Sequence, residues 1–339
     1  MATGFASTGA YFRVGKQTAK GTAATAYLTA LAEMSQINAR RDAVQQAAEH
    51  GIATTRTTDH KAPTSFGSYL VTGSMRQNAY TTTLGLLLLG AGFKVTTTGA
   101  GAAKTHTFKI ANRNELTWLS LLSTIGDTPR RAVGCRVNTL GLEVSPDTAR
   151  WNSGFLGLTL DNAAGTETFT TEDTNKLSPA IGSLVLTVGG QEIVNTATDQ
   201  IQRLTMDIAN PLSEDERALF TSKRSDLPQT GLGITGKIEG LELDYTTTYA
   251  YLMRNGASTG EPYMEAATGS LVFKLESPAD IAGDTVPYSL QVTLGSIEVT
   301  LDDFQAESNN IVRWNTTYRM IDNITDPAII ALVNAKTSY

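Results

Sequence analysis

Residues 71–84 read Val-Thr-Gly-Ser-Met-Arg-Gln-Asn-Ala-Tyr-Thr-Thr-Thr-Leu, and residues 234–249 read Ile-Thr-Gly-Lys-Ile-Glu-Gly-Leu-Glu-Leu-Asp-Tyr-Thr-Thr-Thr-Tyr. Both run from a β-branched residue and Thr-Gly, through a strand-like segment, into Tyr-Thr-Thr-Thr and an apolar run with helical character. Gly73 and Gly236 lie 163 positions apart, and Tyr80 and Tyr245 lie 165 apart. Further pairs keep step. Residues 107–110 match 272–275, residues 136–144 resemble 291–299, and Arg150-Trp151-Asn152 returns as Arg313-Trp314-Asn315. These matches imply two tandem domains of one fold, with a boundary in the Gly-Thr-Glu-rich stretch that ends at Ser178-Pro179.

At 339 residues the chain has room for two such domains, each with its own core. A hydrophobic content of 41% with 18% charged residues fits a folded protein, and abundant Thr, Ser, Gly and Ala favour sheet with many turns. A net charge of −6 argues against a grip on nucleic acid, which needs clustered Lys and Arg to neutralise phosphate. Cys135 is the single cysteine, so an intrachain disulfide and a cysteine-built zinc site are both excluded. No charged leader precedes an apolar core at the N-terminus, so no secretory signal is expected. The longest wholly apolar run, residues 86–89, is far short of the ~20 residues a membrane span needs, which predicts a soluble chain.

Along the chain, residues 1–37 are rich in Gly, Ala and Thr and are expected to form an extended N-terminal arm containing one short strand, residues 11–16. Residues 39–49 have helix propensity, but their match to the alternating segment 202–208 predicts a strand in both copies. Long connections follow at 51–67 and 210–231. In the second, Ser213 and Glu216 have capping-box spacing and predict a short helix. Structureless loops of this length are uncommon unless functional, so Arg56, Asp59, Glu214, Asp215, Arg217 and Phe220 are candidate contact residues. Behind each Tyr-Thr-Thr-Thr a helix is expected. Leu84, Leu87 and Leu88 share one face of the first, with Gly90 near its end; Asp244 and Gly256 bound the second. Residues 184–188 and Gly189-Gly190 predict a hairpin, and Asp326-Pro327 predicts a capped closing helix over 326–333.

Catalytic chemistry is sought and not found. His50, His60 and His106 have no metal-pair spacing and read as solvated loop or edge residues. Gly256-Ala257-Ser258-Thr259-Gly260 matches a nucleophile elbow, but no histidine follows residue 106 and a helix, not a strand, precedes it. Residues 231–238 come within one residue of a phosphate loop; Ile238 replaces the needed hydroxyl, and the alternation predicts a strand. Trp151 and Trp314 suggest stacking on nucleic-acid bases, but burial beneath an arginine stem is the preferred reading. No cofactor, no metal and no enzyme activity are expected.

Taken with Arg13-Val14-Gly15-Lys16, Gly21-Thr22-Ala23-Ala24-Thr25, the Thr-Gly strand with its helix, and the Arg-Trp-Asn ending, the duplicated pattern resembles bacteriophage tail tube proteins, specifically the major tail protein of long non-contractile, siphovirus-type tails. The resemblance implies a mainly β fold, a β-sandwich or barrel with a flanking helix, present in two copies. The implied divisions are an arm over 1–37, a first domain over 38–165, a linker over 166–180 and a second domain over 181–339. It implies a structural virion protein: homotrimeric, pseudo-hexameric rings stacked into a hollow tube that delivers DNA without binding it specifically. The implied partners are a tape measure protein in the lumen and tail terminator and distal tail proteins at the ends, with assembly in the host cytoplasm. A basic channel would stall DNA on its phosphates, so an acidic lining is expected, with Glu143 and Glu298 at matching polar-face positions and Asp207, Glu239 and Asp302 beside them. The loops and the arm would bridge successive rings. The rival reading is a duplicated virion decoration protein or adhesin that forms no tube.

Overall fold

The computed structural model describes residues 11–45, 64–112, 115–125, 128–162, 165–196, 201–214, 224–241, 267–301 and 314–339. Within them the chain is mainly β, with a single helix. In order come β1 (Tyr11–Lys16), β2 (Ala26–Ala30), β3 (Ala32–Gln45), β4 (Thr64–Asn78), α1 (Thr81–Gly90), β5 (Phe93–Thr98), β6 (Lys104–Ile110), β7 (Leu119–Ile125), β8 (Thr128–Val144) and β9 (Ala149–Asp161). Then follow β10 (Thr168–Thr171), β11 (Ser178–Val188), β12 (Gln191–Asn195), β13 (Arg203–Ala209), β14 (Gly233–Leu241), β15 (Ala267–Asp280), β16 (Pro287–Leu301), β17 (Trp314–Met320) and β18 (Ala328–Asn334).

One run of antiparallel neighbours organises the molecule: β3-β4-β9-β8, then β13-β14-β17-β16. The two halves of this run have the same pairing order. In the first, Gly73 stands opposite Ile37 on one side and Phe155 on the other. In the second, Gly236 stands opposite Met206 and Tyr318. The register thus equates Ile37 with Met206, so residues 34–40 of β3 are the counterpart of 203–209, not the expected 39–49. It likewise sets Val137 against Val299, since these face Phe155 and Tyr318, and beyond a bulge at 137–139 it sets Thr139 against Thr300. The expected match of 136–144 with 291–299 is therefore displaced along the strand.

The remaining strands pack across the apolar face of this run or continue from it. Strand β8 takes β7 as its neighbour over its first part and β13 over its last. Residues 11–30 belong to this body from the start: β1 lies between β2 and β7, and its Phe12 and Val14 are buried. The helix α1 is enclosed on nearly all sides, Leu84 and Leu86–Leu89 included, so its leucines do not form the single stripe expected. It runs on past Gly90 to Ala91, and Gly92, at φ 104°, carries the reversal into β5.

The closing segment corrects the sequence reading. Residues 328–334 form a strand, with Ala328, Ile330, Leu332 and Asn334 buried and the residues between them half-buried. Asp-Pro resembles a helix start, but Ile329, Ile330 and Val333 are β-branched and find open edges on both sides, β16 and β6. Asp326 takes the left-handed backbone at φ 64°, which turns the chain into the strand. The hairpin expected at Gly189-Gly190 is present between β11 and β12. Residues 231–238 lead into β14, as the alternation predicted. The second helix, the capping-box helix beyond Glu214 and the Gly-x-Ser-x-Gly stretch lie outside the described residues.

Candidate functional site

The broad face of the long run that points away from the core is polar, because side chains alternate along every strand. Core-side residues include Met75, Leu140, Leu142, Trp151, Phe155, Met206, Ile238, Trp314 and Tyr318, all buried. Both tryptophans are thus core residues, as preferred from sequence. The opposite face carries threonines at 72, 139, 205, 235, 300 and 317, and charged groups between them.

Four of the five predicted carboxylates share this face. Glu143 and Asp207 line a groove with Arg76, Asn152 and Arg203, and Asp207 with Glu298 lines the adjoining one beside Lys237 and Arg319. Glu239 reaches the same Arg203 from β14. Asp302 lies outside the described residues. Glu143 and Glu298 are not at matching levels: Glu298 faces Arg319 of β17 as Arg136 faces Leu156 of β9, so the counterpart of Glu298 is Arg136, well along the strand from Glu143.

Among the described residues the face carries both signs of charge. Arg203 donates from Nη2 to Glu143 Oε1 at 2.7 Å and from Nη1 to Glu239 Oε2 at 3.5 Å. Arg319 Nε donates to Glu298 Oε2 at 3.0 Å. Glu33 Oε2 sits 3.4 Å from Arg150 Nε and 3.8 Å from Arg76 Nε. Asp207 has no ion-pair partner among the described residues, and desolvation lifts its carboxyl above the usual range. Its Oδ1 lies over Gly141, where a Cβ would approach to 2.7 Å, so the glycine makes room for this carboxylate. Charge is balanced along the face instead of accumulating as one sign.

Towards one end the same face turns apolar and is covered. Leu70, Leu156 and Leu158 are packed beneath Leu227, with Trp118 and Leu212 against them. The base of the 210–231 connection makes this cover. Leu212 bridges Gln229, Ser213 N–H donates to Pro228 O, and Thr230 N–H donates to Pro211 O. Arg136 stacks 3.8 Å over the Trp118 ring and donates to Leu227 O at 2.8 Å; burial lowers its guanidinium to about 10. Glu214 is half-buried beside this base; Arg56, Asp59, Asp215, Arg217 and Phe220 lie outside the described residues.

On the opposite side of the body is a polar node that sequence reasoning missed. Glu172, 3% exposed, accepts from the backbone N–H groups of Thr82 (3.2 Å) and Thr83 (2.6 Å) and from the Thr83 hydroxyl. It caps the N-terminus of α1 in place of Tyr80, which makes no side-chain cap. No local signal announces this, since cap and helix are 89 residues apart. His106, expected at a solvated position, is fully buried: Nδ1 meets Thr97 Oγ1 at 2.8 Å, Nε2 meets Asn334 Oδ1 at 3.1 Å, and the Tyr339 ring stands edge-on. Desolvation lowers its pKa. The cause of the misreading is β18, which supplies Asn334 and closes over a strand that sequence alone leaves at an edge.

Fold and face together define a β-rich structural protein built around one extended polar sheet surface. The chain matches the family model described as phage tail tube protein over residues 7–330, and it belongs to that family. No curated protein matches it. Membership makes its role that of a structural protein of the virion tail, self-assembling into a tube.

Proposed function

We propose that the chain polymerises into stacked rings whose hollow bore delivers DNA, with the polar face of the β3-to-β16 run turned to the lumen. The observation that carries this reading is that face itself: threonines interleaved with carboxylates and arginines that neutralise one another across adjacent strands. A cation held by two carboxylates, as Arg203 is, offers phosphate little counterion release, so DNA gains no affinity by pausing there. The lining is charge-compensated, and this replaces the acidic lining expected from net charge.

The recurring pairing order favours two tandem copies in one chain, a first domain over 38–165 and a second over 181–339 joined through 166–180. A ring of three chains is then pseudo-hexameric, of the siphovirus type. A tape measure protein occupies the lumen during assembly in the host cytoplasm, and terminator and distal tail proteins close the ends. The connections 51–67 and 210–231, with residues at the N-terminus, bridge successive rings. Catalysis has no part in this role.

Negative-stain microscopy of the purified protein tests the reading. Hollow tubes or stacked rings are the expected result. Discrete monomers or trimers at every concentration would overturn it in favour of a decoration protein or adhesin. Excising 215–223, which spares Leu212 and Leu227 in the covered cluster, is expected to abolish stacking while leaving folded protein.

A further inference from the structure

Residues 335–339 run on from β18 as a strap over α1, and Tyr339 is its anchor. The Tyr339 ring stands on Gly85 of α1, where a Cβ would fall inside the ring. It meets His106 and Phe108 edge to face, with centroids 4.7 Å and 5.8 Å away. Its hydroxyl donates to Thr81 O at 3.1 Å and accepts from Asn334 Nδ2 at 2.7 Å, and Lys16 Nζ donates to Tyr339 O at 2.9 Å. Ala335, Thr337 and Ser338 are exposed, and the β18 ladder has ended at Asn334. One side chain therefore carries most of the hold.

The state of that hold depends on His106. Asn334 Oδ1 accepts from Lys336 N–H at 2.9 Å while its Nδ2 serves Tyr339, so His106 Nε2 must donate to Oδ1 and Nδ1 is left to accept from the Thr97 hydroxyl. The ring is thus assigned as neutral, with both nitrogens satisfied. We propose that protonation of His106 releases the strap, so that acid opens the seat on α1 while the sheets stay folded. An imidazolium in this place is buried, and the group of like charge beside it is the Lys336 ammonium, itself disfavoured by burial. Strand β5 presents Thr97 to the ring, and β18 and α1 carry no titratable residue. Glu172 acts on Lys336 and Tyr339, not on the ring, and its own protonation favours the closed state. Lifting the strap separates the two cations and lets water reach the ring. Because burial depresses the His106 pKa, its contribution to closure is complete above the unfolded value, about 6.5, and is lost as pH falls through the folded one. The strap is independent of where the polar face points, so it stands apart from the tube reading.

Fluorine NMR of protein labelled with 3-fluorotyrosine reads the strap, with the Tyr339 signal assigned by its loss in Tyr339→Phe. Between about pH 7.5 and about pH 5 this signal is expected to move to the position of free tyrosine, in step with the imidazole signals of His106. His106→Gln keeps an N–H donor for Asn334 and takes up no proton in this range, so its Tyr339 signal is expected to stay put. Linkage supplies a reciprocal test that does not need this variant to fold: Tyr339→Ala removes the anchor and is expected to raise the His106 pKa towards 6.5, by ~0.5 unit or more. A Tyr339 signal that stays seated while His106 titrates, or until the whole protein unfolds, overturns the proposal. So does a His106 pKa that is the same in wild type and Tyr339→Ala.

Discussion

The runs β3-β4-β9-β8 and β13-β14-β17-β16 share one pairing order, yet they solve the same positions with different side chains. Opposite Gly73 stands Phe155; opposite Gly236 stands Tyr318, whose hydroxyl donates to Thr205 O at 2.8 Å. On the outward face, Leu156 in the first run is buried under the 210–231 connection, while its counterpart Arg319 in the second is exposed and paired with Glu298. Backbone order therefore fixes which way a residue points, and local cover fixes whether it is apolar. Among the described residues, the leucines Leu70, Leu156 and Leu158 stand on this face where another segment arrives to bury them.

The glycines give the largest expected contrast. A Cβ on Gly236 would fall inside van der Waals contact of the Thr205 carbonyl and the Tyr318 ring, and the carbonyl belongs to the neighbouring strand, which cannot retreat without breaking the ladder. A Cβ on Gly73 has Gln36 O at 3.1 Å as its nearest neighbour and needs a shift of a few tenths of an ångström. Gly236→Ala is expected to cost ~3 kcal/mol or more, and Gly73→Ala ~1 kcal/mol or less. Urea unfolding of the two variants checks this, and equal midpoints would show that the two runs pack alike.

A second contrast sets the polar face against the buried node at α1. On the face, Glu143, Glu239 and Glu298 are part-exposed and paired with arginines; at the node, Glu172 is desolvated, and burial holds its carboxyl above the ordinary range despite the hydrogen bonds from Thr82 and Thr83. A group whose folded pKa is raised contributes stability that is complete below its unfolded pKa, about 4.3, and is lost as pH rises through the folded value. Acidification from pH 8 to 5 is therefore expected to shift the stability difference between wild type and Glu172→Gln in favour of wild type. Thermal unfolding across that range measures it, and a difference that stays flat would mean the Glu172 carboxyl is not raised.

What could be read from the chain alone follows the same divide. Alternation in Arg203–Ala209, the Gly189-Gly190 turn and the buried tryptophans were legible because strand polarity and turn geometry are local. The closing strand was not, since Asp326-Pro327 imitates a helix start and the edges that capture residues 328–334 come from β16 and β6, one of them in the other half. His106 and Glu172 were misread or missed for the same reason: their partners Asn334 and Thr83 are 228 and 89 residues away. On the polar face the carboxylates were found, but their arginines were not. Arg203 is 60 residues from Glu143, and only the β8–β13 junction brings them together.

That pairing yields the smallest expected effect on stability and the most specific one on function. Arg203 and its two carboxylates are substantially exposed, so Glu143→Gln or Glu239→Gln is expected to cost under ~1 kcal/mol. Replacing both leaves the Arg203 guanidinium with no acidic partner on either neighbouring strand. If the face lines the bore, each ring gains a circle of uncompensated cations, and DNA passing through acquires phosphate contacts it did not have. Tubes of the double variant are expected to retain short duplex DNA at low salt and release it as salt rises, while wild-type tubes retain none. Retention by wild type and double variant alike would place the compensated face elsewhere than the lumen. Retention that ignores salt would mean that contacts other than ion pairing hold the DNA, because only counterion release gives the steep salt dependence that unmasked arginines must show.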